Sequence, residues 1–265
     1  MNLPDCKTLA FDRPQQHVLV VTLNRPEVLN AINTCMGQEL LDLWTRLGAE
    51  PGEIRCVVLT GAGDRAFCAG GDLKERHGMD DATWRHQHEI FERAFFALLD
   101  LPLPVIAALN GHAYGGGLET ALACDFIYVS GQARMALSET RLGIMPGGGG
   151  TQTLARAVGE RRAKELILRA QPFGAEQAAA WGLVNQVCDN GRVLVEALNA
   201  AAEIAANGPL AVRQAKKAIH FGLQADLRTG CRLEIEAYNR LVSSLDRHEG
   251  VRAFNEKRAP RFEGH

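Results

Sequence analysis

The 265-residue chain has no run approaching the ~18 consecutive apolar residues of a membrane-crossing helix. It has no excess of charge of one sign. Lys plus Arg number 29 and Asp plus Glu 31, for a net charge of −2, so no global field draws it to nucleic acid or an anionic membrane. It has no paired cysteine spacing. The seven cysteines (6, 35, 56, 68, 124, 188, 231) are scattered and odd in number, with no C-x-x-C. They read as reduced thiols, and a cytoplasmic protein is expected. The opening residues MNLPDCKTLAFDRP carry acids and prolines and no apolar core, so neither a signal nor a transit peptide is expected. The eight histidines form no H-E-x-x-H, and His86 and His88 point to different helix faces, so no metal site is expected. A serine-hydrolase G-x-S-x-G and a P-loop lysine are also missing. No repeat or low-complexity linker interrupts the chain. With 46% apolar and 23% charged residues, it has material for one large core.

Glycine is the residue in excess: 27 of 265, about 10% against a usual ~7%. Ten fall within residues 111–150 and five within 61–78. Glycine in bulk marks turns with positive φ or places where the backbone must touch something closely.

Residues 17–23, 55–60, 105–109 and 125–130 read as strands. Helical spacing is clear over 34–50 and 82–100, and a short helix is expected over 116–124. After Pro146 and the four glycines behind it, the chain reads as almost all helical. Strands alternating with helices and then helices alone indicate an α/β core, residues 1–200, followed by a helical region, 201–265. From about Ala211 that tail carries Ala218, Ile219, Leu223, Leu227, Leu233, Ile235 and Leu241. Such a tail must pack on the core or on another subunit.

Three glycine stretches stand out. Gly61-Ala62-Gly63-Asp64-Arg65-Ala66 has the spacing of a dinucleotide fingerprint, but Phe67 to Asp72 is a poor helix start, which argues against a nicotinamide dehydrogenase. Ala69-Gly70-Gly71-Asp72-Leu73-Lys74 is a tight turn. Asn110 to Glu119, with Gly115-Gly116-Gly117, joins a strand to a short helix. Two such turns could each give one N–H to a developing oxyanion, or they could be no more than tight crossings in the core. Glu119 and Glu139 lie beside these turns among apolar residues. They read either as caps or ion-pair partners, with Arg134 and Arg141 as candidates, or as an acid–base pair with raised pKa. Cys68 reads as a core filler beside a turn.

These segments resemble the crotonase (enoyl-CoA hydratase/isomerase) family. The resemblance is carried by Asn24-Arg25-Pro26 with Leu29-Asn30-Ala31, by Phe67-Cys68-Ala69-Gly70-Gly71-Asp72-Leu73, and by Pro104 to Ala108 with Asn110-Gly111 and Gly115-Gly116-Gly117. Glu139 to Gly143, Pro146 to Thr151, Gly182-Leu183-Val184 and Phe254 to Arg258 extend it over roughly residues 15–263. It implies a spiral of ββα units with a C-terminal helical oligomerisation region, assembled as trimers or dimers of trimers. It implies an enzyme of acyl-CoA thioesters in fatty-acid metabolism, with coenzyme A as part of the substrate and no cofactor or metal. By the same resemblance Gly71 and Gly116 supply two oxyanion N–H groups and Glu119 and Glu139 the acid–base pair. Gly71, Asp72, Leu73 and Lys74 line the CoA, with Lys74 near phosphate.

Both glutamates together favour hydration of a 2-enoyl-CoA, because the family's double-bond isomerases generally work with one, at the Glu139 position. The segments 136–142 and 146–152 are especially similar to the methylglutaconyl-CoA hydratase branch, so that reaction and isomerisation stand as alternatives. Some of that branch bind RNA through a lysine-rich helix. Here residues 75–100 hold no lysine, so no nucleic-acid partner is expected, and Thr120 stands where leucine is more common.

Overall fold

The computed structural model describes residues 3–265. Its unit is a long strand, a short strand and a helix, repeated along the chain. β1 (Leu9–Asp12) and β2 (Val18–Leu23) lead through a 3-10 turn at Pro26–Val28 into α1 (Thr34–Ala49). β3 (Cys56–Gly61) and β4 (Ala66–Cys68) are followed by α2 (Leu73–Arg76) and α3 (Asp81–Leu99). β5 (Val105–Leu109) and β6 (His112–Tyr114) precede α4 (Gly116–Ala123). β7 (Phe126–Ser130) and β8 (Arg134–Ala136) precede a 3-10 turn at Glu139–Leu142, α5 (Gly150–Val158) and α6 (Glu160–Arg169). β9 (Phe173–Gly174), α7 (Ala175–Ala180) and β10 (Gln186–Cys188) close the sheets. Helices α8 (Val193–Ala206), α9 (Pro209–Gly222), α10 (Leu227–Asn239) and α11 (Leu245–Glu256) follow.

The long strands form a six-stranded sheet in the order β1-β2-β3-β5-β7-β10, parallel from β2 onward. The short strands form a second sheet, β4-β6-β8-β9, in which β4, β6 and β8 are parallel. Side chains on a strand alternate between faces. Leu19, Val21, Val57, Leu59, Val105 and Ala107 therefore face the main core, where Met36, Leu43, Trp44 and Leu47 of α1 meet them. Val18, Val20, Cys56, Val58, Ile106 and Ala108 face the other way, onto α8. Ala197, Ala201 and Ala205, four residues apart on α8, make the small-residue stripe that lets it lie close. Both faces being covered explains why these strands are unbroken apolar runs.

The strands and helices read from the sequence are present within a residue or so at each end. The stretch after residue 150, expected to be almost all helical, is so apart from two short strands. β9 pairs with β8 and β10 pairs with β7, so the chain returns to both sheets before its helical end. Two and three residues are too few to show a period of two. α8 runs across residue 200 and roofs the sheet. Beyond it, Ile219, Leu223, Leu227, Ile235 and Phe254 of α9–α11 are exposed, Leu223 at 79% and Leu227 and Phe254 at 84%. Among the described residues no helix is long and apolar enough to cross a membrane.

One side chain ties the first loop to the second unit. Asn30 is fully buried at φ +56°, a left-handed conformation that asparagine tolerates. Its Nδ2 donates to Ala62 O (3.0 Å) and Ala66 O (2.9 Å), and its Oδ1 accepts from Arg25 N–H (3.0 Å). Asn30→Ala strands these buried partners and leaves an alanine at positive φ. The expected loss is about 2–4 kcal/mol, or ~5–10 °C in Tm by thermal melting. A fall of under ~2 °C would show the loop to be held elsewhere.

Candidate active site

Three of the sequence-selected residues lie just past the C-terminal ends of three adjacent parallel strands. Gly71 follows β4, Gly116 follows β6 and Glu139 follows β8. An isolated bridge holds the first turn: Ile32 N–H donates to Gly70 O at 2.8 Å and Asp72 N–H to Ile32 O at 2.9 Å. This pattern skips the Gly71 N–H. Gly116 is the first residue of α4, whose leading N–H groups have no intrahelical acceptor. Gly115, at φ +50°, makes the turn that starts the helix there, a conformation glycine takes at no steric cost. Neither N–H appears among the hydrogen bonds of the described residues.

The two amides are neighbours. A Cβ on Gly116 would stand 3.8 Å from Gly71 N and meet nothing closer. Gly116 therefore has room for a methyl group in the free protein, in ordinary contact with the Gly70–Gly71 turn. Gly117 differs: a Cβ there would collide with the Cys68 carbonyl, so that glycine is needed for packing. Cys68 itself is fully buried, and burial pushes its thiol up to about 12. It fills the core, as does much of the glycine run around it.

Both glutamates face the same cavity, which has a volume of about 500 Å³. Glu119 lies one turn into α4 and is 5% exposed. Its Oε1 accepts from Gly148 N–H and Gly150 N–H, each at 2.8 Å. The glycine run after Pro146 thus holds one carboxyl oxygen, and Oε2 is left to the cavity. Burial raises its pKa, and the two N–H bonds partly offset that rise. Glu139 is 9% exposed, and both of its carboxyl oxygens are buried without a hydrogen-bond partner. Burial, with the Glu119 charge as a smaller contribution, raises its pKa to about 7. The arginines weighed as partners do not pair with it. Arg134 donates to Pro172 O, and Arg141 is exposed on the 3-10 turn. The reading of Glu139 as an ion-pair partner is thereby corrected.

The turn after Gly71 has a structural job of its own. Asp72 is buried, pairs with Arg25 at 2.9 Å and caps α2 by accepting from Lys74 N–H and Glu75 N–H. Leu73 is half exposed at the cavity rim, and Lys74 is exposed outside it. Deeper in, Ile32, Leu40, Trp44, Phe91, Phe95 and Leu98 give the cavity an apolar channel between α1 and α3. Sequence reasoning missed this channel and Arg76, whose guanidinium lies over the Trp84 ring at 4.4 Å and lines the same cavity. After Gly61 the chain enters β4 and not a helix, so the fingerprint-like segment offers no helix N-terminus to a pyrophosphate. Among the described residues no cluster of three or more His, Cys, Asp or Glu could hold a metal ion.

The sequence family described as enoyl-CoA hydratase/isomerase matches residues 13–265. A short-chain-enoyl-CoA hydratase of Clostridium acetobutylicum is 41% identical over 241 residues, 91% of this chain and 92% of that protein. The mitochondrial methylglutaconyl-CoA hydratase of Mus musculus is 39% identical over 258 residues, 96% of this chain and 82% of that protein. The crystal structure of an enoyl-CoA hydratase from Bacillus anthracis matches with a TM-score of 0.95 at 43% identity, covering 98% of this chain and all (100%) of that one.

The Glu139 carboxyl makes a pH prediction. In the folded chain it titrates at about 7, against 4.5 for an ordinary glutamate. Between those values the folded state holds a proton that the unfolded chain has released. Its contribution to stability is therefore full below pH ~4.5 and is lost as pH rises through ~7, a change of about 1–3 kcal/mol. Glu139→Gln has no such titration. The Tm of the variant minus that of wild type is expected to rise by ~3–8 °C between pH 5 and pH 8.5. A difference that stays constant with pH would show that this carboxyl titrates normally.

Proposed function

The chain belongs to the enoyl-CoA hydratase/isomerase family, and from that premise we propose that it hydrates the double bond of a 2-enoyl-CoA thioester. The family acts on acyl-CoA thioesters. The observation that carries the reading is the pair of buried carboxyls, Glu119 and Glu139, facing one cavity beside two unused backbone N–H groups. The substrate's thioester oxygen lies between Gly71 N–H and Gly116 N–H. Water adds its oxygen to C3 as electron density moves from the C2=C3 double bond toward that oxygen, and a proton then goes to C2. The elements of water are conserved and the reaction runs either way.

The two carboxyls divide the work by environment. Glu119, with Oε1 fixed by two N–H donors, presents Oε2 to take a proton from water. Glu139, raised to about 7, keeps a proton to exchange with C2. Moving a double bond along a chain needs one such group. A second carboxyl held in place by Gly148 and Gly150 favours hydration. Gly71, Asp72, Leu73 and Lys74 form the segment on which coenzyme A runs out of the cavity, with Lys74 toward phosphate.

Glu119→Gln and Glu139→Gln each keep size and shape and remove proton exchange. Each is expected to lower kcat by ~10²-fold or more on a 2-enoyl-CoA, read as loss of the conjugated thioester absorbance, with acyl-CoA binding retained. Gly116→Ala has room for its methyl in the free protein. Its turnover is expected to fall ~10-fold or more with Tm within ~2 °C of wild type, since the methyl stands beside the Gly71 N–H group that the thioester oxygen uses. Near wild-type turnover in any of the three would remove that residue from the mechanism.

Assembly belongs to the same proposal. Ile219, Leu223, Leu227, Ile235 and Phe254 of α9–α11 are exposed apolar side chains on neighbouring helices, the kind of surface that marks an interaction site. A homotrimer or a dimer of trimers buries them. Light scattering at micromolar concentration is expected to give three or six times the 28.8 kDa chain mass. A mass of one chain would defeat the assembly.

A further inference from the structure

The Gly71 N–H is aimed by a chain of hydrogen bonds that begins outside the cavity. Residues 29–32 and 69–72 lie side by side. Ala69 N–H donates to Leu29 O at 3.0 Å, Ile32 N–H to Gly70 O at 2.8 Å and Asp72 N–H to Ile32 O at 2.9 Å. The Gly70 carbonyl and the Gly71 N–H belong to one peptide group. No peptide bond among the described residues is cis, so the C=O and N–H of each group point opposite ways. With its oxygen turned to Ile32, this group turns the Gly71 N–H away from residues 29–32 and leaves it to the cavity that Gly71 lines.

The next peptide group back is held in the same way. Ala31 C=O and Ile32 N–H share a group, and Ala31 O accepts from Arg25 Nη1 at 2.7 Å. The same Nη1 donates to Asp72 Oδ2 at 2.9 Å. A path therefore runs from the guanidinium through the Ala31–Ile32 peptide and the Gly70–Gly71 peptide to the Gly71 N–H. A cation at a peptide oxygen draws electron density from that peptide's N–H. Hydrogen bonds in a chain polarise one another, by ~10–30% per bond. The Arg25 and Asp72 side chains are 17% and 8% exposed, so water screens the start of the path only weakly. The backbone of Arg25 is fixed too, its N–H donating to Oδ1 of the buried Asn30 at 3.0 Å. Arg25 itself does not line the cavity and reaches a bound molecule only through these peptides.

We propose that Arg25 is a positioning residue for the Gly71 amide: it fixes the direction of that N–H and makes it a stronger donor to the thioester oxygen, without touching the acyl-CoA. The inference rests on the reading of Gly71 as an oxyanion donor. A salt bridge that only braced the turn could join Asp72 from any side. Here the guanidinium also donates to the one carbonyl whose peptide leads on to Gly71. Gly116 is aimed by different means. Its peptide partner, Gly115 O, accepts from Glu119 N–H as the first bond of α4, so the helix sets that direction.

The experiment reads the thioester carbonyl directly. Difference infrared spectroscopy follows butanoyl-CoA carrying a heavy-carbon label at its carbonyl, free and bound to the full-length chain. This ligand has no double bond to hydrate. A carbonyl that accepts strong hydrogen bonds stretches at lower frequency. Wild type is expected to lower the stretch. Arg25→Met should lose about a quarter of that shift or more, and Arg25→Lys should fall between, as a point charge in place of the planar fork. Arg25→Met should also lower kcat on 2-butenoyl-CoA ~10-fold, with the Kd for butanoyl-CoA within ~3-fold of wild type. Arg25→Met leaves Asp72 buried without its cation. Should it fail to fold, Arg25→Met/Asp72→Asn removes both charges, keeps a side-chain oxygen to cap α2 and carries the same infrared expectation. A full wild-type shift in a folded variant lacking Arg25 overturns the proposal. So does a loss of butanoyl-CoA binding and kcat in step with Tm, which makes Arg25 a brace and no more. A wild type that binds butanoyl-CoA without any shift defeats the reading of Gly71 and Gly116 as oxyanion donors, and this inference with it.

Discussion

The parallel pairing of three very short strands is the constraint on which the site depends. β4, β6 and β8 have three residues each and are hydrogen-bonded side by side. Each is the second strand of a unit whose first strand is locked into the large sheet. Because the three run the same way, the chain leaves them at one edge, and Gly71, Gly116 and Glu139 emerge there as neighbours. The residues are dozens of positions apart in sequence and are brought together by backbone bonds alone. Parallel sheets place their C-terminal loops in one layer for this reason, and the repetition of the unit turns a local rule into a site.

That layer carries the groups that folding by itself would disfavour. Burying a carboxyl without a hydrogen bond is unfavourable, and Glu139 has no partner for either oxygen. The unused amides of Gly71 and Gly116 are a smaller cost of the same kind. The large sheet offsets it: both of its faces are covered, by α1 and the main core on one side and by α8 on the other. The glycine loop of residues 147–150 then supports the site from outside by gripping Glu119, which fixes one carboxyl so that the two differ in environment.

The parts of the fold legible in the sequence are those where burial writes a pattern. β2, β3, β5 and β7 are apolar runs because both faces are covered, and α1 and α3 show their stripes because only one face is. The second sheet was not legible. Three residues such as Ala66–Cys68 or Arg134–Ala136 cannot display alternation, and the turns flanking them are read only as loops. β10 was hidden for the same reason, behind a helical stretch. In the site, the glycine turns and the glutamates Glu119 and Glu139 among apolar residues drew notice by composition, which left packing and catalytic readings both open; the resemblance to the crotonase family is what singled out Gly71, Gly116, Glu119 and Glu139. Arg76 was marked by neither. In Lys74-Glu75-Arg76 it looks like one charge on a solvated helix, and only Trp84 and Phe91, seven apart on α3, hint at a face that could cover it.

The polar groups of the cavity are separated by side. Carboxyls arrive from α4 and the turn after β8, the Arg76 guanidinium arrives from α2, and the walls between are aliphatic and aromatic. The separation matters to the carboxyls. A guanidinium within ion-pair reach would favour the charged form of Glu139 and pull its pKa down. Arg76 is instead turned to the Trp84 ring and to Gln87, and both Glu139 oxygens stay buried without a partner. The raised pKa of Glu139 therefore depends as much on where the fold keeps its one cavity-lining α2 cation as on the burial of the carboxyl itself.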